Sequence, residues 1–267
     1  MGNIIHRSII HKKKNSAGME RWFMAYNLEK FKKGLDDLQI HLDEKQMGQF
    51  LTYYELLVET NKVMNLTAIT EFDEVIEKHF LDSLSLCRVK DLRSIEDRPE
   101  TYRILDLGTG AGFPGIPLKI AFPKLQIVLA DSLNKRIRFL QEVIDTLGLE
   151  DVTAVHGRAE EMGRNTLYRE QFDLCVSRAV ANLSSLSEYC LPFVKMGGAF
   201  ISYKSGEVDE EAAQAKRAIY LLGGEVKDIY KFDLFDQKRS FVAIEKERKT
   251  PKAYPRKAGT PTKEPLQ

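Results

Sequence analysis

A strand that runs directly into a glycine-rich turn is the feature that most restricts the fold of this chain. Residues 104–107 form a short, mostly apolar segment, and glycines follow at positions 108, 110, 112 and 115. Glycine tolerates backbone conformations that other side chains forbid, so such a turn can lie close against a ligand. A strand, a glycine turn and a helix in this order indicate a nucleotide-binding context within an α/β domain.

Strand and helix patterns alternate around this turn, which predicts a parallel, doubly wound sheet. The last two strands are separated by a short turn around residues 236–238, so they should form an antiparallel hairpin. The predicted strands span residues 103–107, 125–130, 152–155, 172–177, 199–204, 226–234 and 240–245.

The rest of the chain divides by composition and periodicity. Apolar residues recur at helical spacing from about residue 28 to 89, which predicts a small N-terminal helical cap. A polar, proline-containing stretch then indicates a linker. The predicted organisation is a basic, disordered extension over 1–25, the cap over 26–90, the linker over 91–101, the α/β domain over 102–246 and a basic, proline-rich tail over 247–267.

Composition excludes several classes of protein. The 267 residues are 43% hydrophobic and 30% charged, as in ordinary globular proteins, and no apolar run reaches the roughly 18 residues of a membrane span. Cys87, Cys175 and Cys190 are widely spaced, which suggests neither a disulfide framework nor a metal site. The N-terminus lacks the pattern of a secretory signal. We therefore expect a cytoplasmic protein that does not contact membranes.

The charge is concentrated at the ends of the chain. The net charge is +1, but residues 1–33 hold eight Lys or Arg against two Glu, and residues 246–267 hold seven against two. Such a tail could neutralise nucleic-acid phosphates, or it could simply be solvated. Charge alone favours neither. Four prolines in the tail predict an extended conformation.

The glycine turn admits two cofactors. Glycines 110, 112 and 115 fit G-x-G-x-x-G, the fingerprint of a nicotinamide-dependent oxidoreductase, with Asp131 as ribose acceptor. However, Asp106 at the strand end would repel a pyrophosphate and suits a cationic ligand. S-adenosylmethionine carries a sulfonium and an ammonium group, so it is favoured. We predict a site that includes Asp106, Gly108, Gly110, Gly112 and Asp131.

Several motifs together resemble the RsmG family, also called glucose-inhibited division protein B. These are residues 65–67 (NLT), 79–83 (HFLDS), 106–117, 131–136 (DSLNKR), 158–160 (RAE), 177–179 (SRA) and 250–257 (TPKAYPRK). The resemblance covers residue 26 to the C-terminus. It implies a class I S-adenosylmethionine-dependent methyltransferase fold and methyl transfer to N7 of a guanine in 16S ribosomal RNA.

The resemblance also implies cofactor contacts at Gly108, Phe113, Ala159, Glu160 and Arg178. Arg178 and Lys204 end adjacent strands at the ligand-binding edge and are candidates for positioning the substrate, since methylation at N7 needs no general base. His79 and Asp82, three residues apart, could form a polar pair. The candidate RNA-binding residues are Lys135, Arg136, Lys204, Arg239, Lys252, Arg256 and Lys257.

The expected partner is 16S ribosomal RNA or the small ribosomal subunit, and the protein is expected to be monomeric. A different class of protein, an RNA-binding assembly factor with this fold and no transfer activity, is the alternative.

Overall fold

A computed structural model describes residues 26–96, 101–178 and 181–267. The extension expected over residues 1–25, and residues 97–100 of the expected linker, lie outside the described residues. Within the described ranges, no helix combines the length and the apolar character that a membrane-spanning helix requires.

A seven-stranded sheet forms the centre of the molecule, in the order β3-β2-β1-β4-β5-β7-β6. Strands β1 to β5 are parallel, β7 pairs antiparallel with β5, and β6 completes the hairpin with β7. The doubly wound, mostly parallel sheet with a C-terminal hairpin is therefore confirmed. The strands are β1 Arg103–Leu107, β2 Gln126–Asp131, β3 Val152–His156, β4 Phe172–Ser177, β5 Val194–Ser205, β6 Gly224–Leu234 and β7 Gln237–Lys246.

Side-chain alternation along the strands builds two separate hydrophobic clusters. Ile104 and Leu129 lie on one face of the sheet, while their neighbours Leu105 and Ala130 lie on the other. Both faces are thus apolar and covered, as parallel strands require. The sheet is fixed in register, with Ile104 opposite Ile127 and Leu174.

The N-terminal helices pack on the first of these faces. Phe50 and Phe80 belong to the same cluster as Ile104 of the central strand, so the helical cap shares one core with the sheet. The helices are α1 Glu29–Asp37, α2 Glu44–Met64, α3 Phe72–Val75, a π-helical turn Ile76–Leu81, α4 Asp82–Leu84, a 3₁₀ turn Ser85–Arg88 and α5 Leu92–Glu96.

The expected linker differs from what the structure shows. Residues 92–96 form α5, and its Leu92 and Ile95 are buried in the shared core. Their spacing of three residues places both on one side of the helix. Because polar residues surround Leu92 and Ile95 in the sequence, the short amphipathic helix α5 was not predicted.

The remaining helices connect the strands. They are α6 Gly115–Ala121, α7 Asn134–Leu147, α8 Ala159–Met162, α9 Leu183–Cys190 followed by a 3₁₀ turn Leu191–Phe193, α10 Asp209–Leu221 and α11 Thr260–Lys263. Helix α7 carries its apolar stripe against the first face, and α9 and α10 cover the second.

Residues 247–267, here called the C-terminal segment, were expected to be an extended tail, and the structure corrects this expectation. The segment folds back on the α/β domain and ends in α11. Its carbonyl groups accept hydrogen bonds from Arg169, whose guanidinium donates to Thr250 O (2.7 Å) and Tyr254 O (2.9 Å). Prolines remove donors but leave every carbonyl available. Arginines from the domain satisfy these carbonyls, so the segment packs without regular structure.

Candidate active site

A cavity of about 710 Å³ opens at the carboxyl ends of β1, β2 and β4. This edge is where open α/β sheets bind ligands. Of the predicted site residues, Gly108, Gly110, Phe113, Asp131, Arg136, Ala159, Glu160 and Arg178 line it. His79 lines it as well.

The glycine turn, residues 108–115, forms one wall of the cavity. Gly108, Gly110 and Gly112 have positive φ values of 73°, 63° and 106°, which only glycine adopts without strain. Gly112 does not line the cavity, because it faces the core: an added Cβ would lie 2.8 Å from Tyr53 Oη. Tyr53, on α2, donates a 2.6 Å hydrogen bond to Ala111 O. The N-terminal helices therefore hold the turn in place.

Asp106 is placed differently from the prediction. Its side chain is fully buried beneath the turn and does not line the cavity. Oδ2 accepts hydrogen bonds from the Thr109 hydroxyl (2.6 Å) and from Gly115 N–H (2.8 Å), while Oδ1 has no partner among the described residues. Burial raises the pKa of Asp106 to about 7. Asp106 thus supports the turn, because alternation along β1 directs its side chain toward the core face rather than the cavity.

Asp131 ends β2 at the cavity wall and is almost completely buried. Its Oδ1 accepts from Leu133 N–H (2.9 Å), and Oδ2 accepts from Gly110 N–H (3.0 Å) and from the Arg136 guanidinium (3.1 Å). A carboxylate has about four acceptor sites, so one remains for a ligand hydroxyl. Asp131 also ties the glycine turn to the next strand.

Glu160 lies on the opposite side of the cavity, in the first turn of α8. The short loop after β3 places it there, and the residue is 7% exposed. Its Oε1 accepts a 2.8 Å hydrogen bond from Gly259 N–H, which belongs to the C-terminal segment. Two carboxylates therefore face one cavity, an arrangement that suits the hydroxyl and ammonium groups of a ligand. The residues present fit the methyl donor expected from the sequence.

Arg178, directly after β4, is fixed from several sides. Its Nη1 donates to Asp82 Oδ2 and to Lys78 O, both at 2.9 Å, and its guanidinium lies 5.1 Å from the centre of the Phe113 ring. Asp82 also accepts a bidentate pair from Arg239, at 2.7 and 2.8 Å. One buried carboxylate thus orients two arginines and leaves a net positive charge beside the cavity.

His79 closes the cavity next to Arg178. Its ring stacks on Phe113, with 4.4 Å between the centroids, and Nε2 lies 2.9 Å from the Thr67 hydroxyl. Burial and the charge of Arg178 lower the pKa of His79 to about 3. The imidazole is neutral at pH 7. The expected pairing of His79 with Asp82 runs through Arg178, which contacts both side chains.

Comparison with known proteins identifies the family of this chain. Residues 46–241 match the model of the family described as "GidB: rRNA small subunit methyltransferase G". The chain belongs to this family. Relatives named "Ribosomal RNA small subunit methyltransferase G" include one from Lachnoclostridium phytofermentans, 53% identical over 88% of this chain and 96% of the relative. Another, from Alkaliphilus metalliredigens, is 52% identical over 88% and 97%.

Membership of the methyltransferase G family confirms the resemblance predicted from the sequence motifs. With it, the predicted enzyme class, a methyltransferase of the class I fold that uses S-adenosylmethionine, is confirmed. The oxidoreductase alternative, which rested on the spacing of glycines 110, 112 and 115, falls.

The basic residues predicted as RNA contacts separate into two groups in this family member. Lys204 donates to Glu211 Oε1 and to Ala181 O, both at 2.7 Å, and lies outside the cavity wall. Arg239 is bound to Asp82. Arg256 pairs with the fully buried Glu188. These three are held inside ion pairs rather than presented to a polyanion. Arg136 is likewise paired, with Asp131 at 3.1 Å, but it lines the cavity and is partly exposed. Lys135, Lys252 and Lys257 are exposed.

Several wall residues of the methyltransferase site were not singled out from the sequence. Arg158 adds an exposed positive charge at the cavity edge, and Thr67 supports His79. Both lie in motifs that carried the resemblance, which could have indicated them. Others are Thr109, Ser132, Leu186, Tyr189, Gly259 and Thr262. Gly259 and Thr262 come from the C-terminal segment, where no local spacing points to a site.

Proposed function

We propose that this chain transfers a methyl group from S-adenosylmethionine to N7 of a guanine in 16S ribosomal RNA. The observation that carries the proposal is the cavity at the carboxyl edge of the sheet. Asp131, Glu160 and Arg178 converge there in a member of the methyltransferase G family. The cytoplasm is the compartment we propose for this reaction, with the protein acting as a monomer.

The residues that would hold the methyl donor surround the glycine turn. Gly108 and Gly110 let the backbone lie against the ligand, Asp131 accepts from one ribose hydroxyl, and Glu160 accepts from a ligand donor on the opposite side of the cavity. Phe113 supplies an apolar surface. When bound, the sulfonium supplies an electrophilic methyl group.

The chain's own groups need not move a proton before methyl transfer. Guanine N7 carries an in-plane lone pair and no hydrogen, so it can attack directly. His79, with a pKa of about 3, is neutral and is not a proton donor at pH 7. What remains is alignment in a water-poor site, where Arg178 holds the substrate and the stacked His79 and Phe113 exclude water.

Positive charge around the cavity provides a surface for the RNA backbone. Arg158 lines the cavity and is exposed, and Lys135 is exposed beside it on the first turn of α7. Arg136 also lines the cavity, where it is partly exposed and paired with Asp131. Such contacts position the RNA without reading its sequence. A guanine in a structured region would have to leave its stack to enter the cavity.

The test is incubation of the purified protein with methyl-labelled S-adenosylmethionine and small-subunit ribosomal RNA from a strain that lacks this gene. N7-methylguanosine is then mapped by its chain-cleavage chemistry. We expect label at one guanine N7. Replacing Arg178 with Ala should lower the rate about 100-fold, the cost of an oriented charged contact. Arg217→Ala, on the exposed side of α10, should leave the rate unchanged.

Absence of label from both naked RNA and assembled subunits, with adenosylhomocysteine still bound, would contradict the substrate assignment. An assembly factor that retains the cofactor site would then explain the fold. Equal transfer to free guanosine would contradict the positioning of RNA by the basic surface.

A further inference from the structure

The C-terminal segment reaches the cavity from the side opposite the glycine turn. Gly259 and Thr262 form part of the wall. Gly259 adopts a φ of 81° and directs its N–H to Glu160 Oε1 at 2.8 Å. The Thr262 hydroxyl lies 2.7 Å from the hydroxyl of Tyr189, another wall residue. The last residues of the chain therefore contact the cavity through both backbone and side chain.

A buried ion pair fixes the segment just before it reaches the cavity. Glu188, on α9, has no exposed side-chain surface and accepts from Arg256 Nη2 at 2.7 Å and from Arg256 N–H at 2.7 Å. Arg256 Nη2 also donates to Glu264 O (2.7 Å), so it closes the loop that contains Gly259. Further along, Pro261 O accepts from the buried Ser185 hydroxyl (2.6 Å).

A second anchor holds the beginning of the segment. Lys246 is almost completely buried, and its Nζ donates to Leu191 O and to the Thr250 hydroxyl, both at 2.6 Å. Arg164 donates to Pro255 O at 2.6 Å. The segment is thus attached along its whole length by groups from the α/β domain.

We propose that the C-terminal segment forms one wall of the cofactor site, and that the Arg256–Glu188 pair positions this segment. Gly259 N–H holds Glu160 in the orientation in which its second oxygen faces the ligand, and Thr262 with Tyr189 closes that side. This inference rests on the proposed function, because it assigns the cavity to the methyl donor. Neither Arg256 nor Glu188 lines the cavity, so both are positioning residues.

Two consequences follow from the coupling. The chain should bind the cofactor more tightly when the C-terminal segment is packed on the α/β domain than when the segment is displaced. By linkage, the bound cofactor should hold the segment in place. The segment contains lysines and arginines at positions 248, 249, 252, 256, 257 and 263. The rate of trypsin cleavage within the segment therefore measures how often the segment detaches from the α/β domain.

The first experiment measures adenosylhomocysteine binding by calorimetry for Gly259→Ala and Gly197→Ala in the full chain. Both glycines have positive φ values, 81° and 76°, and an added Cβ meets nothing within 4 Å at either. The two substitutions thus place a Cβ at a similar positive φ without a steric clash. Only at residue 259 should the resulting backbone shift move an N–H away from Glu160. We expect about tenfold weaker binding for Gly259→Ala and unchanged binding for Gly197→Ala.

The second experiment is limited trypsin digestion of the unmodified full chain with and without adenosylhomocysteine. We expect the ligand to slow cleavage after Arg256 and Lys257 at least fivefold, while cleavage elsewhere changes less. Arg256→Gln should remove this protection at Lys257. This assay needs no substitution for its main result, so it holds even if a variant folds poorly.

The outcomes separate the inference from the proposed function. Equal affinity of the Gly259→Ala and Gly197→Ala proteins, or ligand-independent cleavage of the segment, would overturn the inference and leave the methyltransferase assignment intact. If the unmodified chain does not bind adenosylhomocysteine at all, the proposed function falls and the inference falls with it.

Discussion

The two walls of the cavity are built in different ways. The glycine turn is positioned by backbone geometry, by Asp106, which binds Thr109 and Gly115 three and nine residues away, and by an uncharged hydrogen bond from Tyr53. The C-terminal segment is positioned by charged groups from distant parts of the chain, such as Glu188, which lies 68 residues before Arg256. Residues of both walls line the same cavity.

Because they are built differently, the two walls should be sensitive to different kinds of substitution. The glycine turn depends on positive φ values and on one tyrosine hydroxyl, so small changes of shape disturb it. The C-terminal segment depends on buried charge, so removal of one partner leaves the other uncompensated. Substitutions in the glycine turn should therefore act through changes of backbone shape, and substitutions in the C-terminal segment through unpaired buried charge. The two kinds should also differ in the size of their effect.

The largest effect is expected at the buried pair of the C-terminal wall. Arg256→Ala leaves the Glu188 carboxylate buried without its charged partner, and should lower the free energy of unfolding by about 3 kcal/mol. Urea denaturation measures this change. Combining it with Glu188→Gln should recover part of the loss, because no charge then remains buried. A double variant as unstable as Arg256→Ala would contradict this account.

Acid should lower the stability of the folded chain through His79, which lines the cavity next to Arg178. The pKa of His79 is lowered to about 3 in the folded chain, whereas the unfolded chain takes up this proton near pH 6.5. Stability present at neutral pH is thus lost as the pH falls below about 6.5. Between pH 7 and pH 5 this amounts to about 2 kcal/mol.

Urea denaturation at pH 7 and pH 5 tests this for His79→Gln, which should lose less stability on acidification than the parent protein. His41, an exposed histidine, provides the matched control, His41→Gln. If His79→Gln and the parent show the same loss between the two pH values, the buried neutral imidazole is not the cause.

A smaller effect is expected for the hydroxyl that holds the glycine turn. Tyr53→Phe removes the hydrogen bond to Ala111 O and should cost about 1 kcal/mol of stability. It should also weaken adenosylhomocysteine binding, measured by calorimetry. Tyr54→Phe removes a similar bond, to Thr70 O, outside the turn. Equal ligand affinity in the two variants would show that the tyrosine does not position this wall.

The smallest effect on stability is expected for the exposed lysines of the C-terminal segment. Lys252→Ala and Lys257→Ala should change the free energy of unfolding by less than about 0.5 kcal/mol. If these side chains contact RNA phosphates, the slope of log affinity against log salt should fall by about 1 per contact. Filter binding over a salt series measures it, and Lys33→Ala, at an exposed position of α1 in the N-terminal cap, should leave the slope unchanged.

Local patterns in the sequence predicted most of the fold and one of the two walls. Alternation of apolar residues and the spacing of the glycines depend on neighbours along the chain, so the strands and the turn at 108–115 could be predicted. The direction of the Asp106 side chain required knowledge of which face of β1 carries the core. Basic residues in the tail suggested either RNA binding or solvation.

Long-range ion pairs account for the part that was missed. Arg239 lies 157 residues from Asp82, and the antiparallel hairpin brings the two together. Arg256 meets Glu188 only because the C-terminal segment turns back over α9. No spacing rule pairs charges at such separations. The sequence therefore revealed neither the ion pairs of Lys204, Arg239 and Arg256 nor the contribution of the C-terminal segment to the cavity.

A crystal structure of the full chain with adenosylhomocysteine tests the central claim most directly. The account predicts one ligand in the cavity, with a ribose hydroxyl at Asp131, the glycine turn on one side, and Glu160 with Gly259 and Thr262 on the other. A ligand that contacts the glycine turn while the C-terminal segment is displaced, or a ligand bound elsewhere on the sheet edge, would contradict it.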